Sequence, residues 1–304
     1  MKILVVGGTG ALGGDAAIYA AQQGHDVTIA ARNPAPAGTP MEDMSFLKGD
    51  YVAGDFTADT LKGFDWIIFA AGNDPRHLPP ETKPEDMPGF FRKANDEGVP
   101  AFTRAARDAG VKKLVQLGSY YAQATPELVD GNTYIQSRLA ACEGARAEGT
   151  DDFTVMSVNA PFMVGSVSGL PSMIFEPYVQ WAEGKLEIPH FGPAGGTNFM
   201  SIRSLSQALL GALENGENKK AYLVGDENLS FTEYFQLFFD AAGSDVKLEE
   251  RDEEHPLLPD IAIPQGRGNW VRYDADEAER KILGYETNDV TNAVKDVVAQ
   301  YGSL

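Results

Sequence analysis

Three glycines, Gly7, Gly10 and Gly13, stand three residues apart between an apolar run and a stretch with helical periodicity. The run, Ile3–Val6, is rich in β-branched residues and is typical of a strand buried on both faces of a parallel sheet. The stretch that follows, Ala11–Gln23, is predicted to be a helix. Backbone N–H groups at a helix N-terminus bind anions, and glycine lets a phosphate approach them closely. The pattern therefore predicts a dinucleotide site.

The candidate contacts of that site are the loop and the first helical residues. They are Gly7, Thr9, Gly10, Ala11, Leu12 and Gly13. The same pattern also occurs in ordinary tight turns between a strand and a helix. Its position between the right two elements favours the dinucleotide interpretation.

Arg32 directly follows the second predicted strand, Val27–Ala31. In dinucleotide folds, an acidic residue at this position accepts hydrogen bonds from the adenosine ribose and repels a 2′-phosphate. Arginine instead offers a planar fork that pairs with a phosphate in a bidentate manner. The sequence therefore favours NADP(H) over NAD; the alternative is a solvated surface arginine.

Strands and helices alternate along the first half of the chain and must position these residues. The further predicted elements are strands at Tyr51–Phe56, Trp66–Ala70, Lys112–Leu117 and Phe153–Val158, helices at Phe90–Ala109 and Tyr134–Ala147, and loops at Pro34–Lys48 and Pro75–Pro88. This alternation predicts an α/β fold with a Rossmann-type, doubly wound parallel sheet and right-handed crossovers. We expect residues 1–164 to form the dinucleotide-binding domain, with elements from about 197–225 returning to it. Residues 165–304 are expected to form a smaller C-terminal substrate-binding lobe.

Composition excludes several classes of function. The 304 residues carry a net charge of −19, which argues against a nucleic-acid partner because phosphate backbones require a basic surface. A single cysteine, Cys142, indicates a reducing compartment. The four histidines (His25, His77, His190 and His255) lack metal-binding spacing, so no metal site is expected. No apolar run reaches about 18 residues, so we expect a cytoplasmic protein without a membrane partner.

Several motifs resemble the extended short-chain dehydrogenase/reductase family, also called the NAD-dependent epimerase/dehydratase family. They are GGTGALGG, GDFTADTLKGFDWIIFAAG and YIQSRLAACE, and similarity in pattern continues through NAPFMVG to the late YDADEAERKILGYETNDVTNAVKDVVAQYG. The resemblance implies a set of cofactor contacts. These are Asp55 and Phe56 at the adenine, Ala70, Ala71 and Gly72 along the cofactor, and Pro161 and Phe162 near the nicotinamide. It also implies a possible homodimer built on the fourth and fifth helices.

The resemblance further implies a tyrosine as general acid/base, a lysine four residues later, and a serine beside them. Tyr134 matches the tyrosine, but Arg138 stands in place of the lysine. Ser119 is the candidate for the hydroxyl that holds the substrate oxygen. Only fifteen positions separate Ser119 from Tyr134, which is fewer than the family usually shows. The family's serine could therefore align with Tyr120 instead. For Ser119 the plain alternative is a turn residue that satisfies local backbone groups.

Arginine can supply the charge that a catalytic phenol needs. Lowering a phenol pKa from about 10 to about 7 requires about 4 kcal/mol. One positive charge at about 4 Å, in an effective dielectric near 20, supplies about that amount. Arg138 lies four residues from Tyr134 and so on the same helix face, where it also reaches a bound ribose. Arg138 cannot lose a proton, so it cannot pass protons on as a lysine amine would. We therefore expect a working but slower site.

The second half of the chain indicates the substrate. Helices are predicted at Leu170–Trp181, Phe231–Phe239 and Val290–Gln300, and the aromatic stripe of Phe231–Phe239 is interpreted as core. The candidates for lining a cleft are Met163, Met173, Phe175 and Trp270, and the only clustered cations are Arg203, Arg267 and Arg272. Because the cleft candidates are apolar and few cations accompany them, the sequence favours a small, non-phosphorylated carbonyl or alcohol substrate.

Three functions remain open. The first is an NADP(H)-dependent oxidoreductase that uses Tyr134 as general acid/base. The second is a non-catalytic NADP-binding regulator or redox sensor, since Arg138 replaces the expected lysine. The third is a nucleotide-sugar epimerase, which Arg32 and the missing lysine both make less favourable. Dehydration is disfavoured because the acidic residue that dehydratases place after the serine is replaced by Tyr120-Tyr121.

Overall fold

The computed structural model describes residues 1–73 and 81–303; His77 and the Pro75–Pro80 part of the predicted loop lie outside them. The strands are β1 Lys2–Val6, β2 Asp26–Ala31, β3 Ser45–Lys48, β4 Trp66–Phe69, β5 Lys113–Ser119, β6 Thr154–Ala160, β7 Phe162–Val164, β8 Phe191–Pro193, β9 Gly196–Ser201, β10 Ala221–Leu223, β11 Glu227–Ser230, β12 Glu249–Arg251 and β13 Trp270–Val271. The main sheet has seven strands in the order β10-β6-β5-β4-β1-β2-β3, and its pairs are parallel. This confirms the predicted α/β fold.

The helices flank this sheet and continue into the second half of the chain. They are α1 Ala11–Gln22, α2 Ala58–Leu61, α3 Met87–Phe91, α4 Gly98–Asp108, α5 Tyr121–Ala124, α6 Thr133–Ala147, α7 Phe175–Ala182, α8 Ile202–Asn215, α9 Phe231–Ala241, α10 Glu277–Leu283 and α11 Val290–Tyr301. A π-helical segment, Arg92–Glu97, joins α3 to α4. The single helix predicted over Phe90–Ala109 is therefore three consecutive pieces.

The first strand shows why its sequence is an unbroken apolar run. Ile3 and Val5 pack in a cluster beneath α1 and α8, whereas Leu4 and Val6 pack in a second cluster on the opposite face. All four side chains are at most 2 % exposed. Because both faces of the sheet are covered, an alternating polar pattern is absent.

The third strand is not where the sequence pattern placed it. The prediction of a strand at Tyr51–Phe56 is wrong, and β3 instead lies at the end of the stretch predicted as a loop. Residues 51–54 form a turn, in which the Asp50 carboxylate accepts from the N–H of Val52 at 2.9 Å and Gly54 has φ +79°. The strand β3 was missed because it is a sheet edge with mostly exposed side chains, so no apolar run marks it.

Part of the second half returns to the main sheet. Helix α8 packs on α1 through Leu205 and Leu209, and β10 adds to the sheet beside β6. The strands β7, β9, β11 and β13 form a separate four-stranded sheet. The chain thus crosses between the two sheets more than once.

The aromatic stripe of α9 is core, as predicted. Its buried members are Phe231, Tyr234, Phe235, Phe238 and Phe239. The helix begins with a capping box in which Ser230 and Glu233 satisfy each other's backbone N–H groups. Helix α7 starts at Phe175, five residues later than predicted, and the Ser172 hydroxyl accepts from the N–H groups of Ile174 and Phe175 in the turn that precedes it.

Within the described ranges, no helix is long and apolar enough to cross a bilayer. Over the same part of the chain, no group of three or more His, Cys, Asp or Glu side chains is placed to hold a metal ion.

Candidate active site

The glycine loop after β1 brings its backbone close to neighbouring elements at two positions and leaves open space at a third. Gly7 has φ +83°, and a Cβ at that position would lie 3.0 Å from the backbone of Ala70 and Ala71. A Cβ on Gly13 would overlap the carbonyl of Gly7, so glycine is required for α1 to pack on the loop. At Gly10, by contrast, a Cβ would meet the Gly7 oxygen at 3.6 Å and no other atom of residues 1–73 and 81–303, so these residues leave the space above it open.

Gly10 is also the N-cap of α1, and it has no side chain to occupy the helix N-terminus. The first N–H groups of a helix have no intrahelical acceptor and carry the positive end of its dipole. Thr9, Ala11 and Leu12 are partly exposed around this point, and Gly10 is exposed. The arrangement fits a pyrophosphate lying over Gly10.

An open cavity of about 350 Å³ lies at the ends of β2 and β3. It is lined by Arg32, Lys48, Gly49, Asp50 and Asp55. The structure thus brings the predicted residues Arg32 and Asp55 together. It buries Phe56 instead, with its ring against Gly49 and 5.5 Å from the ring of Phe102. Sequence reasoning missed Lys48 and Asp50 because it placed β3 further along the chain.

The guanidinium of Arg138 lies at the carboxyl ends of β4 and β5. Its Nη2 donates to the carbonyl of Leu117 at 2.9 Å, and its Nη1 occupies the space that a Cβ on Gly72 would fill. Arg138 is 8 % exposed, and its buried Nε has no hydrogen-bond partner among the described residues. A buried donor of this kind requires an acceptor. Of the predicted neighbours, Gly72 borders the guanidinium, whereas Ala70 and Ala71 lie against Gly7.

A chain of hydrogen bonds connects four elements beside Arg138. Tyr51 Oη accepts from Asn73 Nδ2 at 2.5 Å. The Asn95 side chain accepts from the Asn73 N–H at 3.3 Å and donates to its carbonyl at 3.1 Å. Asn95 Nδ2 also donates to Ser137 Oγ at 3.1 Å, which in turn donates to the carbonyl of Tyr134 at 2.9 Å. Sequence reasoning missed this network; its only signal was an asparagine, Asn95, within an otherwise apolar helical face.

Burial sets the protonation of the phenol in this network. Tyr51 lies edge-on to Phe69 with ring centroids 5.1 Å apart. Burial raises the pKa of Tyr51 to about 12, although the hydrogen bond from Asn73 and the charge of Arg138 act in the opposite direction. Tyr51 is therefore a neutral hydrogen-bonding group rather than an acid/base at ordinary pH.

Three tyrosines lie close together past the end of β5, and they differ in access. Tyr134, in the first turn of α6, is partly exposed and its ring centroid is 5.8 Å from that of Phe91. Tyr120 and Tyr121 are buried, with ring centroids 4.8 Å apart. Burial raises the pKa of Tyr121, and the neighbouring Tyr120 and Tyr134 act in the same direction.

The hydroxyl of Tyr120 is committed elsewhere. It lies 2.5 Å from Thr197 Oγ1 and 3.3 Å from the carbonyl of Val271, and burial raises its pKa to about 12. Ser119, the last residue of β5, is partly exposed and pairs with Ala160 in the sheet. Of the two alternative positions for the substrate-binding hydroxyl, Ser119 is the accessible one.

The proposed nicotinamide and cleft residues are divided between surface and core. Pro161 is buried and Phe162 is partly exposed, with its ring 5.2 Å from Phe199. Phe175 is buried in the aromatic core, so the expectation that it lines a cleft is wrong. Met163 is partly buried against the main core, and Met173 is 88 % exposed.

The three arginines that the sequence offered as clustered cations are engaged with other groups. Arg203 bridges Asp289 and Asp296, and Arg267 bridges Asp252 and Asp260. The guanidinium of Arg272 stacks 4.1 Å from the Trp270 ring centroid, and that indole covers Gly196. On β13, Val271 packs beside Tyr120, so the adjacent Trp270 faces the other way by strand alternation and does not line the tyrosine cluster.

Comparison with known proteins agrees with this geometry. The family model described as NAD(P)H-binding matches residues 7–157. No curated protein matches the sequence.

Solved structures share the whole fold. The structure of gox2253 is 21% identical with a TM-score of 0.76, over 99% of this chain and 97% of that one. UDP-glucose-4-epimerase from Stenotrophomonas maltophila, with bound NAD and formylated UDP-arabinopyranose, is 22% identical with a TM-score of 0.75, over 99% and 98%. UDP-N-acetylglucosamine 4-epimerase from Bacillus cereus is 17% identical with a TM-score of 0.73, over 100% and 97%. The match over residues 7–157 and the shared fold agree with the resemblance to extended short-chain dehydrogenase/reductases.

Proposed function

We propose that this NAD(P)H-binding Rossmann protein is an NADP(H)-dependent oxidoreductase acting on a carbonyl or alcohol of a small, non-phosphorylated substrate. Tyr134 is its general acid/base, Arg138 replaces the family's lysine, and Ser119 holds the substrate oxygen. The observation that carries the proposal is the buried guanidinium of Arg138, whose Nε lacks an acceptor among the described residues at the strand ends beside Gly72.

The chain fits the cofactor at three points. The open backbone at Gly10 suits the pyrophosphate, and the cavity at Arg32 suits a phosphorylated adenosine ribose. The Nε of Arg138 is a donor suited to a ribose hydroxyl. When bound, the cofactor supplies or accepts a hydride at the reacting carbon.

The side chains then handle the substrate oxygen. Ser119 donates a hydrogen bond to that oxygen, and Tyr134 transfers a proton to it or from it as the carbonyl and alcohol interconvert. Arg138, four residues after Tyr134 in α6, provides the positive charge that favours the phenolate form. Because Arg138 keeps its proton, the phenol exchanges its own proton with solvent or substrate.

The accessibility of the three phenols supports Tyr134 in this role. Tyr120 and Tyr121 are buried and their pKa values are raised, so ionising either of them is unfavourable. Tyr134 is partly exposed, and its backbone is held by the Ser137 hydroxyl bond. A reacting oxygen can therefore approach Tyr134 but not its two neighbours.

The charges of the second half support a substrate without a diphosphate. A nucleotide-sugar diphosphate is typically held by arginine forks. Here Arg203 and Arg267 are each paired with two aspartates, and Arg272 stacks on Trp270. This distinguishes the proposal from the UDP-sugar epimerase activity that several similar structures carry in their names.

The test is a pair of conservative phenylalanine substitutions assayed with NADPH and a panel of aldehydes and ketones. We expect Tyr134→Phe to abolish turnover while NADPH binding, followed by its fluorescence, persists. Tyr120→Phe, the matched control, removes a buried hydroxyl outside the reaction and should change turnover little. Turnover that survives in Tyr134→Phe contradicts the assignment of the acid/base.

The rival functions predict different results in the same assay. Tight NADPH binding with no turnover of any carbonyl would indicate the non-catalytic regulator or redox sensor. The feature that favours this rival is Arg138, which stands where the family has a lysine. Interconversion of UDP-sugars without net NADPH consumption would indicate the epimerase.

A further inference from the structure

We infer that Lys48 is a specificity-determining residue, which together with Arg32 binds the 2′-phosphate of NADP(H). The inference rests on the proposed function, since it assigns one end of the proposed cofactor. It concerns a side chain on a strand that the sequence pattern did not reveal.

The sheet register brings the two cations to the same place. Ala31, the last residue of β2, pairs with Lys48, the last residue of β3. Arg32 follows Ala31 immediately, so both side chains emerge where two neighbouring strands end. Both line the open cavity of about 350 Å³.

Neither cation is neutralised within the part of the chain that the structure describes. The side chains of Arg32 and Lys48 are both exposed, and among the described residues neither side chain takes part in a hydrogen bond or ion pair. Many other basic side chains are paired with carboxylates: Arg104, Arg107, Arg203, Lys220, Arg251 and Arg267. In a chain with a net charge of −19, two adjacent cations without partners indicate a site for an anion.

The two carboxylates of the cavity do not cancel this charge by direct pairing. One oxygen of Asp50 accepts from the Val52 N–H at 2.9 Å, and one oxygen of Asp55 accepts from the Asp50 N–H at 2.8 Å. Both carboxylates are thus held by the turn that follows β3. Arg32 offers a planar fork and Lys48 a mobile point charge, which together suit a phosphate dianion better than a neutral hydroxyl.

Calorimetric titration with adenosine 2′,5′-bisphosphate, 5′-AMP, NADPH and NADH tests the assignment. We expect Lys48→Gln to weaken adenosine 2′,5′-bisphosphate and NADPH by about tenfold, which is typical for a charge-assisted contact. Binding of 5′-AMP and NADH should stay within about twofold, since they lack the 2′-phosphate. At about 1 M salt, where the Debye length is about 3 Å, the difference between wild type and variant should shrink.

Two further variants make the outcome decisive. Lys62→Gln removes an exposed lysine outside the cavity and should leave all four affinities unchanged. Arg32→Gln should weaken the phosphorylated ligands at least as much as Lys48→Gln. If Lys48→Gln binds all four ligands like wild type while Arg32→Gln loses NADPH, the role of Lys48 is overturned and the proposed function stands. If wild-type protein binds neither NADPH nor NADH, the proposed function itself fails.

Discussion

The guanidinium of Arg138 occupies the space directly above Gly72. A Cβ on Gly72 would overlap its Nη1 and would come 3.0 Å from Nη2. Gly72 comes from the loop after β4, whereas Arg138 comes from α6. The absence of a side chain at Gly72 is therefore what allows the long arginine to reach the strand ends, where the family expects a shorter lysine.

Gly72→Ala should displace Arg138 and lower turnover by at least about tenfold, because the cation moves away from Tyr134 and from the ribose site. We expect a loss of about 1–3 kcal/mol in the free energy of unfolding, the usual cost of overpacking. Gly89→Ala is the matched control, since a Cβ at exposed Gly89 meets no described atom within 4 Å. Equal activity of the two variants would show that the position of Arg138 does not matter.

Arg138→Met should reduce kcat by at least about tenfold, because it removes the charge that favours the phenolate of Tyr134. It also removes the 2.9 Å hydrogen bond to the Leu117 carbonyl, which keeps its 2.7 Å bond from Gln116 Nε2, so we expect a loss of no more than about 1 kcal/mol of stability. Arg138→Lys keeps the charge and should retain more activity than the methionine variant. The pH profile of kcat separates loss of charge from loss of stability. Only loss of the charge raises the pKa of Tyr134 and so shifts the basic limb of the profile to higher pH.

Tyr51→Phe should lower the free energy of unfolding by about 1–2 kcal/mol, because the side-chain Nδ2 of Asn73 loses its acceptor. Asn95→Ala should cost more, since the Asn73 backbone and Ser137 both lose contacts. Urea unfolding measures both effects, and Tyr19→Phe, on the partly exposed face of α1, provides the control. If Asn95→Ala costs no more than Tyr19→Phe, the network contributes nothing to stability.

His255 should make stability fall as the pH decreases below about 6.5. It is fully buried among Trp181, Phe191 and Phe235, with ring centroids 4.8–5.0 Å away, and burial lowers its pKa to about 4. The unfolded chain therefore binds a proton more readily than the folded one, and about 3 kcal/mol is lost between pH 6.5 and 4. Subtracting the pH profile of His255→Phe from that of wild type isolates this contribution. A difference that does not change with pH would contradict it.

Sequence reasoning succeeded where one local signal fixed the structure. The apolar run of β1 and the glycines Gly7 and Gly13 specify a buried strand and a close turn without reference to the rest of the chain. It failed at β3, because an exposed edge strand needs no apolar pattern, and the displaced strand concealed Lys48. Tyr51 and Asn95 were missed because their partners come from distant elements, and no spacing in the sequence encodes such a pairing.

The return of α8 and β10 to the main sheet means that the nucleotide-binding half is not an autonomous piece. A fragment ending at Val164 would leave β6 with an unpaired edge and would expose the α1 side chains Ala16 and Ala20 to water. Such a fragment should aggregate instead of binding dinucleotide. Affinity for the cofactor is then acquired only once the chain has been made as far as Leu223, the last residue of β10.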